Sequence, residues 1–283
     1  MRKVEFNQGS EEWLAWRKKL LTATDAAQIL GVSPYSTAYK CWQRKLGLIP
    51  EQASTPAMQR GVRDEPIARQ MFIKQTGINM TPCCVESDLH NFIGSSLDGI
   101  SDCGKYILEI KSQKFVNQVP EFHYSQIQHQ LLSTDFTAKV CYYVSMWEGE
   151  IQIQEVSIDT FWHENYLPKA TEFWKKVIFH EQPELTTKDY KDMNATPIWE
   201  SYATEYRRVA QQIKQLEELK ESYRKELITL CEDNSCMGAG IKVLKKLVKG
   251  RVDYESIPEI SHIDLERYRK QPSTSWTILL DGK

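Results

Sequence analysis

Residues 94–113 read GSSLDGISDCGKYILEIKSQ, with an Asp-Gly pair at 98–99 and the run Glu109-Ile110-Lys111 near the end. In a strand, residues two apart share a face, so YILEIK points Glu109 and Lys111 one way and Leu108 and Ile110 the other, toward a core. Two charged side chains on one face of an apolar strand are costly to bury unless they are paired or bind a metal. The expectation is a hairpin closed through Ser101 to Gly104, with Asp98 at a turn that brings its carboxylate to that face. Asp-Gly is also a common turn dipeptide and Glu-x-Lys is common on exposed strands, so the same pattern suits a plain hairpin.

Working outward, Ser10-Glu11-Glu12 reads as a helix start, with Trp13, Trp16 and Leu20 on one stripe. A short helix is expected over 24–30, capped by Thr24 and closed by Gly31, and another over 37–46 ending at Gly47. Residues 54–77 are helical in pattern, with Met58, Ile67, Met71 and Phe72 on the apolar side and a kink near Pro66. Short β-rich runs follow at 79–87, 91–96 and 105–111, then a helix at 121–134 and two paired strands, KVCYYVSMW and EIQIQEVSI, split by Glu148-Gly149. A helix at 159–180 is expected to bury Phe161, Trp162, Phe173, Trp174 and Phe179. This order predicts an α/β core around a mixed sheet flanked by helices.

After Pro183 the tract ELTTKDYKDMNATPI is polar and reads as a linker over 183–198, which divides a core at 1–182 from an extension at 199–283. In the extension Tyr202, Tyr206, Val209, Ile213, Leu216, Leu219, Tyr223, Leu227 and Leu230 recur at helical spacing. They describe one long helix, 199–232, with an apolar seam suited to oligomerisation or partner binding. The remainder reads as a small sheet: IKVLKKLV, a turn at Gly250, then TSWTILL. Its basic tract, Lys242, Lys245, Lys246, Lys249 and Arg251, reads as a solvated sheet face or a DNA contact.

The 283 residues are 41% hydrophobic and 26% charged, enough apolar material for a real core and against disorder. A net charge of −2 neither points to nor excludes a nucleic-acid partner. The first residues hold no export-like apolar segment, and no apolar run approaches a membrane span, so a cytoplasmic location without a membrane is expected. The 7 cysteines form no Cys-x-x-Cys pair, which argues against disulfide scaffolds and zinc; Cys41, Cys103 and Cys141 are read as small buried apolar residues.

The chemistry that fits the charged face is metal-assisted phosphodiester hydrolysis. Asp98, Glu109 and the backbone carbonyl of Ile110 are hard oxygen ligands suited to Mg²⁺, and Lys111 can position or help deprotonate an attacking water.

Four ordered blocks strengthen that reading: EEWLAWRKKLLTATDAAQILGVSPY, QRGVRDEPIARQMF, GSSLDGI with LEIKSQ, and HYSQIQHQL. Together, over about residues 9–135, they resemble the PD-(D/E)XK nuclease superfamily, and within it the phage-type alkaline exonucleases of the lambda exonuclease or YqaJ-like recombinase group. The resemblance implies a restriction-endonuclease-like core and assigns Asp98, Glu109 and Lys111 to the acid, acid and lysine of the motif. It makes Glu65, in the helix before the sheet, the acid that completes the metal shell. Gln126, with Gln130 one helical turn later, matches the glutamine motif that orients phosphate or water, and Gln128 is read as structural. Arg17 and Thr24 occupy the positions that bind a terminal 5′-phosphate, with Lys18 or Lys19 assisting. Leu97 stands where the superfamily pattern has proline, and the late cysteines Cys231 and Cys236 are too few for an iron–sulfur site.

The implied activity is a Mg²⁺-dependent exonuclease, with Mn²⁺ able to substitute, that degrades linear double-stranded DNA 5′ to 3′ and leaves 3′ overhangs for recombination. The implied assembly is a homo-oligomer, a trimer, working with a single-strand annealing protein in a phage or prophage setting inside a bacterial host. A structure-selective endonuclease, a helicase-linked nuclease or a non-catalytic DNA-binding or assembly module are the alternatives.

Overall fold

Each N-terminal helix carries its own start signal. Ser10 accepts the amide of Trp13 and opens α1 (Glu11–Lys18), whose first turn is acidic and whose last turn is basic, as the helix dipole favours. Thr37 caps α3 (Ala38–Lys45), and Thr55, with Pro56 at the first turn, caps α4 (Pro56–Thr76), which ends on left-handed Gly77. Between α1 and α3 lies α2 (Ala23–Ile29). The computed structural model describes residues 1–6, 9–50 and 54–246. The chain divides into two units, Met1–Tyr190 and Lys191–Lys283.

The first unit holds a six-stranded sheet in sequence order, β1 (Arg2–Val4), β2 (Met80–Glu86), β3 (Gly94–Ser101), β4 (Tyr106–Ser112), β5 (Val140–Trp147) and β6 (Glu150–Ser157). Every pair is antiparallel except β4–β5, which is parallel from Tyr106↔Val140 to Ser112↔Met146. A parallel step needs a crossover, and α5 (Glu121–Ser133) supplies it. On the α5 side, Ile127 and Leu131 pack on Leu97, Ile107 and Tyr143. On the opposite side, Ala68 and Phe72 of α4 pack on Met80, Leu108, Ile110 and Val144. Strand β4 is therefore covered on both faces, and each large apolar side chain buried there contributes roughly 1.5–3 kcal/mol. A third cluster joins Leu21, Trp42 and Ile93 to Tyr166, Ala170 and Phe173 of α6 (Thr160–Ile178).

Several expectations are corrected. Asp98 and Gly99 are not at a turn; they lie inside β3, which runs 94–101 rather than 91–96. Gly99 is there because a Cβ would stand 2.9 Å from Met80 Cβ and 3.2 Å from Leu108 Cβ, so the glycine marks a close approach. The buried face of α4 centres on Ala68 and Phe72, one turn apart, which leaves Met58 and Ile67 each 48% exposed. In α6 the buried stripe is His163, Tyr166, Ala170, Phe173 and Val177, so Phe161, two residues off it, and Phe179, at the C-cap, are exposed. Cys41 and Cys141 are buried, but Cys103, in the hairpin turn, is exposed. Strand β1 was not expected; its three residues are too few for a legible alternation.

Part of the tract read as a linker is ordered: Thr187–Asp189 form a 3₁₀ turn, and Thr37 Oγ1 donates to Asp189 Oδ1 at 2.5 Å. The second unit contains α7 (Pro197–Leu230) with its seam exposed, and a hairpin of β7 (Cys236–Gly238) and β8 (Ile241–Val243). The partner of β8 is thus β7, a stretch not read as a strand; Gly250 and TSWTILL lie outside the described residues, as do Lys249 and Arg251. Lys245 pairs with Asp233 at 2.5 Å. A cavity of about 790 Å³ between α7 and this hairpin is lined in part by Lys242 and Lys245 of the basic tract and contains none of the candidate catalytic, metal-binding or 5′-phosphate residues. Among the described residues no helix is long and apolar enough to cross a membrane.

Candidate active site

Strands β3 and β4 pair at Gly99↔Leu108 and Ile100↔Ile107. At the next step the pattern changes: the amide of Ile110 donates to the Asp98 carboxylate, Oδ2, at 2.7 Å. A side chain has taken the donor that a ladder would use, so the two strands open where the acids stand. Glu109 is 2% exposed, and both its oxygens are engaged. Lys111 Nζ lies 2.5 Å from Oε1, Gln126 Nε2 donates to Oε1 at 2.7 Å, and Gln130 Nε2 donates to Oε2 at 2.5 Å. Lys111 also donates to Gln126 Oε1 at 3.0 Å, which closes a triangle of lysine, glutamate and glutamine. A buried carboxylate is tolerable only with such charge-assisted partners.

Helix α4 brings Glu65 and Arg69 against the opening. Arg69 Nε donates to the Asp98 carbonyl at 2.6 Å, and its other end pairs with Glu65 one turn earlier. The electrostatics place these groups in one neighbourhood. Burial, then the charges of Glu109 and Glu65, hold the Asp98 carboxyl well above the usual carboxylate range. Burial also raises Glu65; Arg69 opposes it and the charge of Glu109 adds to it. Burial works to lower Lys111, but Glu109 and Asp98 outweigh it and keep the ammonium above the ordinary lysine value. Its side chain is still 24% exposed, so it can meet a ligand from outside.

Among the described residues, no three histidine, cysteine or carboxylate side chains are gathered as a metal cage. The donor set nonetheless fits a hard cation. Beyond burial, Asp98 is raised by the charges of Glu109 and Glu65 and Glu65 by that of Glu109, a repulsion that a divalent ion relieves, and Asp98, Glu109 and the Ile110 carbonyl are all oxygen donors. Glu65 is turned to Arg69 instead.

The N-terminal block sits beside the same strand. Trp13 Nε1 donates to Ser96 Oγ at 2.8 Å, two residues along β3 from Asp98. The Arg17 guanidinium lies over the Trp13 ring at 4.5 Å and donates to Thr24 Oγ1 at 3.1 Å. Thr24 is not the helix cap. That role belongs to Thr22, whose capping box with Asp25 fixes the start of α2 and leaves the Thr24 hydroxyl exposed. Lys18 and Lys19 are exposed on α1. Gln128 is structural: it donates to the Ser157 carbonyl at 2.8 Å and accepts the Asp159 amide at 3.0 Å.

The structure therefore joins Glu109, Lys111 and Gln126 in one network, with Asp98 and Glu65 beside it, and joins Arg17 to Thr24. It also adds residues the sequence reading passed over. Arg69 was signalled by its i,i+4 spacing from Glu65, and the capping box by the Thr-x-x-Asp pattern at 22–25. The Asp64–Ser112–Arg60 chain, in which Ser112 Oγ donates to Asp64 at 2.5 Å and accepts from Arg60 Nε at 3.1 Å, had no sequence signal.

Residues 12–137 match the model of the YqaJ-like viral recombinase domain. A protein named YqaJ in Bacillus subtilis (strain 168), itself uncharacterised, is 25% identical over 187 residues; the match spans 62% of this chain and 59% of that one. Among solved structures, the alkaline exonuclease LHK-Exo of Laribacter hongkongensis shares the fold, with a TM-score of 0.53 and 21% identity over 61% of this chain and 94% of that one. The same protein in complex with dAMP gives the same values.

Proposed function

We propose, from the YqaJ-like recombinase domain at residues 12–137, that this chain is a metal-dependent exonuclease acting on the ends of linear double-stranded DNA. The observation that carries the reading is the Lys111–Glu109–Gln126 network beside Asp98 at the opening of β3 and β4. Asp98, Glu109, the Ile110 carbonyl and Glu65 would hold Mg²⁺, or Mn²⁺ in its place, which when bound supplies a counter-charge for the phosphate. Lys111, fixed by Glu109 and Gln126, orients the attacking water and steadies the charge on the phosphate oxygens. Gln126 holds Lys111 through its carbonyl and Glu109 through its amide, so the two charges keep their relative position through a turnover.

Arg17 and Thr24 would hold a terminal 5′-phosphate, since a guanidinium and a hydroxyl side by side are an anion-binding pair. That assigns a 5′-to-3′ direction and a 3′ single-stranded product suited to recombination with an annealing protein. Release of mononucleotides agrees with the dAMP complex of LHK-Exo. A homo-oligomeric ring, a trimer, would keep the enzyme on DNA without a basic overall charge.

The test uses the full chain with Mg²⁺ on linear duplex bearing 5′-phosphate or 5′-hydroxyl ends, and on a closed circle. Expected are nucleotide release from the linear ends only and a loss of about 10²-fold or more in Lys111→Ala. Arg17→Ala should lose about tenfold or more on phosphorylated ends and little on hydroxyl ends. No nucleotide release from either linear end, or equal release by Lys111→Ala, sinks the reading; cutting of the circle replaces it with an endonuclease.

A further inference from the structure

Trp147 closes β5 on the far side of the acids from the Arg17 block. In the parallel register Lys111 pairs with Ser145 and Ser112 with Met146, so Trp147 projects to the same face as Lys111, one strand over. Two cations converge on its ring from different elements. The Arg60 guanidinium, from α4, lies 5.9 Å from the indole centroid, and Lys114 Nζ, just past β4, lies 5.7 Å from it. Among the described residues neither forms an ion pair. Asp64, one turn from Arg60, accepts from Ser112 and pairs with Arg63, which lower its carboxyl; the charge of Arg60 helps without a direct ion pair.

A cation over an indole contributes only about 0.5–1 kcal/mol where water reaches it, which is too little to explain gathering two like charges at one ring. The arrangement makes sense if an anion completes it. Arg60 is also held in place: Nε donates to Ser112 Oγ at 3.1 Å and Nη2 to the Ser112 carbonyl at 3.3 Å, so its charge is fixed at the end of β4. The loop that carries Lys114 is pinned to β6, where Gln152 accepts the Val116 amide at 3.0 Å. Fixed cations beside a part-exposed indole offer a polynucleotide both a phosphate contact and a stacking surface.

We infer that Arg60, Lys114 and Trp147 form a binding site for the DNA strand on the far side of the scissile phosphodiester from Arg17, with a backbone phosphate on the cations and its base on the indole. The placement follows from the sheet: the Arg17 block is anchored on β3, the catalytic side chains on β3 and β4, and Trp147 on β5. The inference rests on the nuclease reading for its polarity. The strand that remains after a terminal nucleotide leaves is the one this site holds, so it governs retention of DNA rather than bond cleavage.

The experiment measures binding of a fluorescent single-stranded DNA and of a linear duplex to the full chain in EDTA, across a salt titration, with melting temperature as a fold check. Lys114→Ala and Arg60→Ala should each flatten the dependence of log affinity on log salt by about 1. Trp147→Ala should weaken binding about tenfold and Trp147→Phe much less. With Mg²⁺, Lys114→Ala and Trp147→Ala should raise KM for DNA and leave kcat within about twofold. Because Arg60 also ties Ser112, Lys114→Ala, at an exposed side chain, decides the matter if Arg60→Ala does not fold. Folded Lys114→Ala and Trp147→Ala proteins that bind as the wild type does, while the wild type cleaves, overturn this site and leave the nuclease reading standing. Loss of binding in the variants of a wild type that binds but does not cleave supports the site and sinks the nuclease reading. A wild type that neither binds nor cleaves overturns both.

Discussion

Glu109 depends on Gln130 as much as on Lys111. The Gln130 side chain is fully buried, its Nε2 is spent on Glu109 Oε2, and its Oε1 has no partner among the described residues. An unpaired buried carbonyl costs about 1–3 kcal/mol, so this glutamine is kept against a stability cost and for its hold on the carboxylate. Gln130→Leu, close in volume, removes both the bond and the orphan carbonyl. It should leave the melting temperature within a few degrees while lowering kcat about tenfold or more at unchanged KM. Steady-state kinetics on linear duplex beside a thermal melt check this, and an unaltered kcat would refute the role. Much of this site was legible from sequence, because acid, acid and lysine sit on one short strand-rich stretch and the glutamines lie four apart. The i,i+4 spacing of Glu65 and Arg69 was a local signal, but the reach of Arg69 to the Asp98 carbonyl and of Arg60 to Ser112 was not legible, because those contacts span 29 and 52 residues of chain, which no local pattern encodes. Within the glutamine pair the sequence favoured Gln126, whereas in the structure both donate to Glu109.

At the scale of the element, β3 shows why strand reading failed locally while the topology came through. Asp98-Gly99 is a turn-favouring pair, so propensity ended the strand at 96 and placed a turn where the strand in fact continues to 101. Tertiary contact overrides it: Gly94 would place a Cβ 2.9 Å from the Val85 carbonyl, and Gly99 one 2.9 Å from Met80, so both glycines let neighbouring strands close. The helices and the β5–β6 hairpin, whose periodicity and caps are local, were read within a few residues. Gly99 adjoins Asp98, which couples packing to the site. Gly99→Ala must push β3 from Met80 and Leu108, the fixed stems of core side chains, and should destabilise the first unit by about 1–3 kcal/mol. It should also lower kcat, because Asp98 moves with its neighbour. Chemical denaturation and kinetics of Gly99→Ala give the answer; wild-type stability would mean the strands can part there without cost.

Across the first unit, the change in stability between pH 7 and pH 5 is set by histidines that the fold keeps neutral, among them His129, His163 and His123, the last held down to about 3 by burial. Burial holds His129 down at about 4, where it joins Tyr166 of α6 at 2.7 Å to the Gly94 carbonyl of β3 at 3.2 Å, so one ring bridges two layers. Burial likewise brings His163 to about 4; its ring sits edge-on to Phe136 and Trp162, and neither nitrogen has a partner among the described residues. For a base lowered in the folded state, the unfolded chain takes up the proton first as pH falls. Stability is then full above the unfolded value near 6.5 and declines until the folded value near 4. At about 1.4 kcal/mol per unit, two such groups reach several kcal/mol, a large part of an ordinary domain's stability. Glu65 and Asp98, raised in the folded state, take up protons before the unfolded chain does and run the other way, so the wild-type curve alone would understate the histidines. His163→Phe isolates the effect, since it keeps an aromatic ring against Phe136 and Trp162 and removes the titrating group. The urea midpoint of the wild type should fall between pH 7 and pH 5, and that of His163→Phe should fall less steeply and be no lower at pH 7. Parallel curves for the two proteins would show that this ring is not what acid attacks.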